Sequence, residues 1–135
     1  MSDKFKFFEH TADVKFRAYG KTLDKAFENA ALAMFHAMYK GKIAKKTKIK
    51  IKVKGNDKES MLYNFLEELL FLLDTKSFFL SSVKIKITDN KLESELFGDN
   101  SKNYKVMTDV KAVTYNEMFI KHEKNKWVVQ VVVDV

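Results

Sequence analysis

The 135-residue sequence has no cysteine, no proline, four glycines and a single arginine, Arg17. Without cysteine there is no disulfide and no thiolate nucleophile or ligand. The three histidines, His10, His36 and His122, are too scattered for a tetrahedral structural zinc site. Any metal bound here should therefore take oxygen ligands. The near-absence of arginine makes the positive charge a matter of lysine, a solvated point charge poorly suited to bidentate recognition of phosphate or bases. No stretch approaches the roughly 18 charge-free apolar residues of a membrane span, and the opening Met-Ser-Asp-Lys-Phe-Lys lacks the apolar core of a signal peptide. The expected location is the cytoplasm, with no membrane contact. A glycine-rich phosphate loop, a GxSxG elbow, an HExxH pair and EF-hand spacing are all missing, so no familiar self-contained enzyme is supported.

Hydrophobic residues make up 46% of the chain and aromatics 13%, twelve of them Phe, enough for a packed core beside 32% charged residues. The length suits one domain, residues 1–135. A balance of 25 basic against 18 acidic side chains gives +7 and hints at an anionic partner. The same lysine and glutamate enrichment also arises in heat-adapted proteins without one.

Patterning predicts a β-rich α+β domain, a mostly antiparallel or mixed sheet with two helices packed on it. Phe5–His10 and Ala12–Tyr19 read as extended segments turned by Gly20. From Thr22, Leu23, Ala26, Phe27, Ala30, Met34, Phe35 and Met38 recur at helical spacing toward Gly41. Thr47–Lys54 alternates apolar residues with Lys48, Lys50, Lys52 and Lys54, a half-buried strand with one wet face. A second helix runs from an Asp57 cap through Leu73. Val83–Ile87 and Leu92–Phe97 form a hairpin about Asp89-Asn90, followed by strands at Val106–Ala112, Thr114–Lys121 and Lys126–Val135. The last is apolar on both faces, as a central strand would be.

Two local features carry chemistry. Asp134, next to the final residue of a buried strand, should sit at the strand tip, find a donor or bind a cation, because burying it unpaired is costly. The Val135 α-carboxylate lies beside it, and Asp13, in His10-Thr11-Ala12-Asp13, would complete a hard oxygen site for Ca2+, Mg2+ or Mn2+ if the fold brought it near. The competing reading has Asp134 solvated and Asp13 capping a turn. His10 is a candidate ligand or proton carrier, or simply bonds a nearby turn. His36 reads as a helix-surface or packing residue, and Glu67 and Glu68 as a solvated helix edge. The lysine comb spaces ammonium groups about 6.6 Å apart along one strand face, which suits either a phosphate backbone or a guarded sheet edge. Lys111 stands out among the apolar residues Val110 to Tyr115.

Phe8-Glu9-His10-Thr11-Ala12-Asp13-Val14, Ala18-Tyr19-Gly20-Lys21-Thr22-Leu23 and Ala26-Phe27-Glu28-Asn29-Ala30-Ala31 together resemble the opening of the archease family. The resemblance continues through Asn64-Phe65-Leu66-Glu67-Glu68-Leu69, Val110-Lys111-Ala112-Val113-Thr114-Tyr115 and Val132-Val133-Asp134-Val135, essentially the whole chain. It implies an archease-like fold and an accessory role, not catalysis. The partner it implies is the RtcB-type RNA ligase of tRNA splicing, whose GTP-dependent guanylylation and repeated turnover archeases promote. It further implies a divalent-metal site, calcium by expectation, at Asp13, Asp134 and Val135, and an activity-linked lysine at Lys111, with His10 beside it. Asn116 stands where a histidine is expected in many relatives. The alternative is a general chaperone or RNA-binding accessory acting through the basic sheet face, with indirect or weak contact to tRNA.

Overall fold

A computed structural model describes residues 4–10 and 12–135. Its elements run β1 (Phe5–Phe8), β2 (Asp13–Gly20), α1 (Leu23–Met38), β3 (Thr47–Lys54), α2 (Lys58–Lys76), β4 (Phe78–Thr88), β5 (Lys91–Asn100), β6 (Ala112–Glu123) and β7 (Lys126–Asp134). The strands form two sheets, not the one expected: a four-stranded sheet ordered β1-β2-β7-β6 and a three-stranded sheet ordered β3-β5-β4. All neighbours are antiparallel. Helix α1 packs on β2 and β7 of the larger sheet and on β4 of the smaller, and α2 packs on β6, β4 and β3, so the helices bridge the sheets.

Local chemistry explains the helix starts. The Thr22 hydroxyl accepts the Lys25 N–H, and Asp57 with Ser60 forms a reciprocal capping box at α2. The ends differ from the sequence reading. α1 stops at Met38, ahead of Gly41, with Tyr39 extended, and α2 continues to Lys76, where Ser77 takes a left-handed φ of 53°. Because α1 lies between sheets, Ala26, Phe27, Ala30, Ala31, Ala33, Met34 and Met38 are all fully buried. The four alanines permit close approach on more than one side.

β7 is central, as expected. Val129, Val131 and Val133 join Phe16 and Ala18 in the core, and Val128 and Val132 on the opposite face are also buried. Arg17 lies there between the rings of Phe8, at 4.6 Å, and Phe119, at 5.3 Å, and donates from Nε to Gln130.

The strand expected at Val106–Ala112 does not form. Residues 104–111 are an irregular strap pinned at separate points, where the Tyr104 hydroxyl bonds Asp99, Met107 N–H bonds Met38 O and Lys111 N–H bonds Asp134 O. β6 therefore begins at Ala112. It is also interrupted, since its register on β7 jumps from Thr114↔Val132 to Phe119↔Gln130, and the extra residues make an excursion in which Glu117 has a φ of 55°.

Candidate functional site

The ends of three elements meet at one edge of the larger sheet. Asp13 opens β2, Asp134 closes β7, and the antiparallel register sets them directly opposite each other. Ala112 of β6 pairs with Asp134 from the other side, and the preceding Lys111 donates its backbone N–H to the Asp134 carbonyl at 2.8 Å. Four of the sequence candidates, Asp13, Asp134, Val135 and Lys111, thus converge. Asp134 and Val135 are exposed at the strand tip, as both the site reading and the solvated reading of Asp134 expect; Lys111 is exposed too and sits outside any strand, so its apolar neighbours do not desolvate it.

His10 comes to the same edge by a route that local spacing does not reveal. Its Nε2 donates to Glu117 Oε2 at 2.7 Å, a partner 107 positions away, instead of bonding a nearby turn. Glu117 Oε1 accepts from Lys15 Nζ at 3.1 Å, and the Glu117 carbonyl accepts from Gln130 Nε2 at 2.7 Å. The β6 excursion is what lifts Glu117 over the sheet face to meet β2. The hydrogen bonds from His10 and from Lys15 hold the Glu117 carboxyl below the usual carboxylate range. On its other side, His10 Nδ1 lies 3.4 Å from Asp13 Oδ2, an ion-pair contact when the imidazole is protonated, and this buried nitrogen has no hydrogen-bond partner among the described residues.

Two like charges directly opposed across an antiparallel pair repel, and a buried polar nitrogen without a partner is costly. Asp13 has only the His10 contact for compensation, and no ion pair involves Asp134 among the described residues. No three His, Asp or Glu side chains among the described residues stand close enough to be a ready-made ligand set, so a cation would draw the strand-end groups together.

A cleft of about 820 Å³ adjoins this edge, floored by Phe7, Val14, Met38 and Tyr39 and bordered by His10, Asp13 and Met107. Met107 is 73% exposed.

The remaining candidates sort cleanly. His36 packs against Phe5 and Phe7, as expected. Glu67 is not a solvated edge, for its Oε2 accepts the Val113 N–H at 2.7 Å and ties α2 to the start of β6. Asn116 is exposed on the β6 excursion. The lysine comb lies on the outer face of the smaller sheet, where β5 places Glu93 between Lys52 and Lys86 and Glu95 between Lys50 and Lys84. Lys48 reaches Glu95 at 3.3 Å and Lys52 reaches Glu93 at 3.8 Å, so acidic residues partly neutralise the comb.

A model of the Archease protein family matches residues 5–135. The chain belongs to the archease family. Among curated family members, the archease of Pyrococcus furiosus is 41% identical over 136 residues, covering 95% of this chain and 96% of its own. That of Sulfurisphaera tokodaii is 39% identical over 137 residues, covering 98% and 99%. The solution structure of Methanobacterium thermoautotrophicum protein 1598 superposes with a TM-score of 0.78 at 34% identity, covering 98% of this chain and 99% of that one. A Thermotoga maritima archease described as a possible chaperone shares the fold, with a TM-score of 0.67 at 19% identity and 96% coverage of each chain. This family member thus has the expected α+β archease fold, and among its described residues no helix is long and apolar enough to cross a membrane.

Proposed function

We propose that this archease-family protein activates an RtcB-type RNA ligase in tRNA splicing, promoting GTP-dependent guanylylation of the ligase and repeated turnover, and that it acts through the acidic edge of its larger sheet. The observation that carries this reading is the Asp13↔Asp134 register with Lys111 bonded beside it, which gathers residues from three distant segments at one exposed place. Structural stability gives no reason to oppose two carboxylates there.

In this reading Asp13, Asp134 and the Val135 carboxylate hold a divalent cation, calcium or another oxygen-ligand metal such as Mg2+ or Mn2+. Such a cation would supply charge compensation at the edge and affinity for acidic or phosphate groups. The chain's own groups do the rest. Asp13 and Asp134 present oxygen donors from fixed strand ends, the Lys111 backbone N–H pins Asp134 in place, and the Phe7-Val14-Met38 cleft offers apolar contact to the same partner. An activator changes its target only by binding one state better than another. The state favoured here is the ligase conformation that accepts guanylate or releases product.

The alternative role, a chaperone or RNA-binding accessory using the lysine face, is weakened by the acidic row along β5. Turnover by the ligase with and without this protein, and with Asp134→Ala, tests the first reading. Under the alternative, reversing the charges along Lys48 to Lys54 abolishes function while Asp134→Ala is tolerated.

A further inference from the structure

The outer face of the larger sheet changes character away from the acidic edge. Register places Lys6, Arg17, Gln130 and Phe119 in one row across all four strands, with Tyr19, Val128 and Lys121 in the next. Cations and aromatics therefore alternate on this face along β1, β2 and β6, and they touch. Besides Arg17 between Phe8 and Phe119, Lys121 Nζ lies 4.5 Å from the Phe119 ring centre and Lys126 Nζ 4.8 Å from that of Tyr19. Arg17, Lys121 and Lys126 enter no ion pair among the described residues, whereas the lysines of the smaller sheet lie among Glu93 and Glu95. Tyr19 and Lys126 also line a cleft of about 840 Å³ beside α1, together with Lys4, Lys6, Lys21 and Lys25. Glu28, the carboxylate that lines it, is already engaged by Lys25 at 3.0 Å and by the Ile85 N–H at 2.9 Å.

We propose that this basic, aromatic face, continued by the lysine cleft, binds single-stranded RNA. A positive surface that follows a phosphate backbone, combined with rings on which bases stack, is the pattern of single-strand recognition. Bases paired inside a duplex are closed to such stacking. An exposed ammonium over a ring is a weak contact, so a base takes its place on Tyr19 or Phe119 while the displaced Lys126 or Lys121 moves to a phosphate. The Arg17 Nε bond to Gln130, which is only 4% exposed, fixes a guanidinium whose planar shape suits both phosphate and stacking. Asp13, Asp134 and Glu117 lie toward the opposite end of the same sheet and repel the backbone there, so the phosphates are held toward Tyr19 and Lys126. The choice of RNA over DNA rests on the proposed function, in which the partner joins RNA; the surface itself does not depend on the ligase.

The test titrates the full chain, without ligase or metal, with a single-stranded oligouridine, followed by amide chemical shifts and by fluorescence anisotropy. Shift changes are expected in β2, β6 and the segment from Gly20 to Lys25, and affinity should fall with salt by a log–log slope of about −0.7 for each phosphate held. Tyr19→Ala should weaken binding by about 5- to 150-fold. Lys21→Glu and Lys126→Glu, both at exposed positions, should weaken it and flatten the salt dependence, and Lys50→Glu on the smaller sheet should leave it unchanged. No binding at low salt overturns the proposal, as do shift changes confined to β3–β5, or equal affinity for an RNA duplex or for polyglutamate. The wild-type shift map locates the surface by itself, so the result does not depend on a variant folding. RNA binding by a protein that leaves an RtcB-type ligase at one turnover supports this proposal while contradicting the proposed function; activation without RNA binding does the reverse.

Discussion

Asp13 and Asp134 face each other across the β2–β7 pair, where β2 begins and β7 ends. Directly opposed residues in such a pair have Cβ atoms about 5 Å apart, close enough for two carboxylates to destabilise each other.

Neutralising one of them should therefore stabilise the metal-free protein. In chelator, Asp134→Asn is expected to gain a few tenths to about 1 kcal/mol in denaturant unfolding. Added Mn2+ or Ca2+ should reverse the order, since ligand at about 100 times Kd stabilises the wild type by about 2.7 kcal/mol and the variant by much less.

Acid should weaken two of the carboxylates that the fold uses as acceptors. The Asp99 carboxyl lies below its ordinary value of 3.8 chiefly because it accepts the Asn100 N–H, then the Tyr104 hydroxyl. Glu117 lies below 4.5 because of His10 and then Lys15. A carboxyl with a depressed folded value stabilises fully above its unfolded value and loses that contribution as pH falls through the folded one. Both contributions are thus complete above roughly pH 5 and fade toward lower pH. Asp99→Asn and Glu117→Gln should each flatten the fall in stability below the ordinary carboxylate range, followed by thermal unfolding across pH.

Glu67→Ala should leave the Val113 N–H without its acceptor and cost about 1–3 kcal/mol. Because Val113 is two residues from Lys111, the same change should raise amide exchange at the start of β6. Glu67→Gln keeps an acceptor and should preserve protection.

Gly98 permits the close approach of β5 to β4, since a Cβ there would collide with the Phe79 backbone oxygen. Gly98→Ala should destabilise the smaller sheet by about 1–3 kcal/mol in chemical unfolding, and exchange protection should fall first in β4 and β5.

Much of this architecture is legible locally. The Asp57 cap, the helical stripe from Leu23 and the two-faced apolar run of β7 each depend on residues close in sequence, so periodicity and capping chemistry find them. The division into two sheets does not, because period-two alternation says that a strand has a wet face but not which strand lies beside it. Ser77 ends α2 in a left-handed conformation without being glycine, which removes the usual stop signal. The excursion of β6 is hidden for a related reason, as Tyr115-Asn116-Glu117-Met118 contains no glycine or proline to mark it. The acidic edge was half visible. Asp134 is conspicuous at the end of an apolar strand, whereas its opposition to Asp13 follows from register, and the His10–Glu117 bond spans 107 positions. Glu67 reads as a solvated helix residue because its acceptor role depends on where β6 begins.

The central claim is that the acidic edge of this protein drives a partner ligase through repeated cycles. Its most direct test is RNA joining by an RtcB-type ligase at large substrate excess with GTP, with no addition, with the wild-type protein and with Asp134→Ala. Many turnovers with the wild type and close to a single turnover with the variant is the expected result. A ligase that stays near one turnover with the wild-type protein present, or one driven equally well by Asp134→Ala, would contradict it.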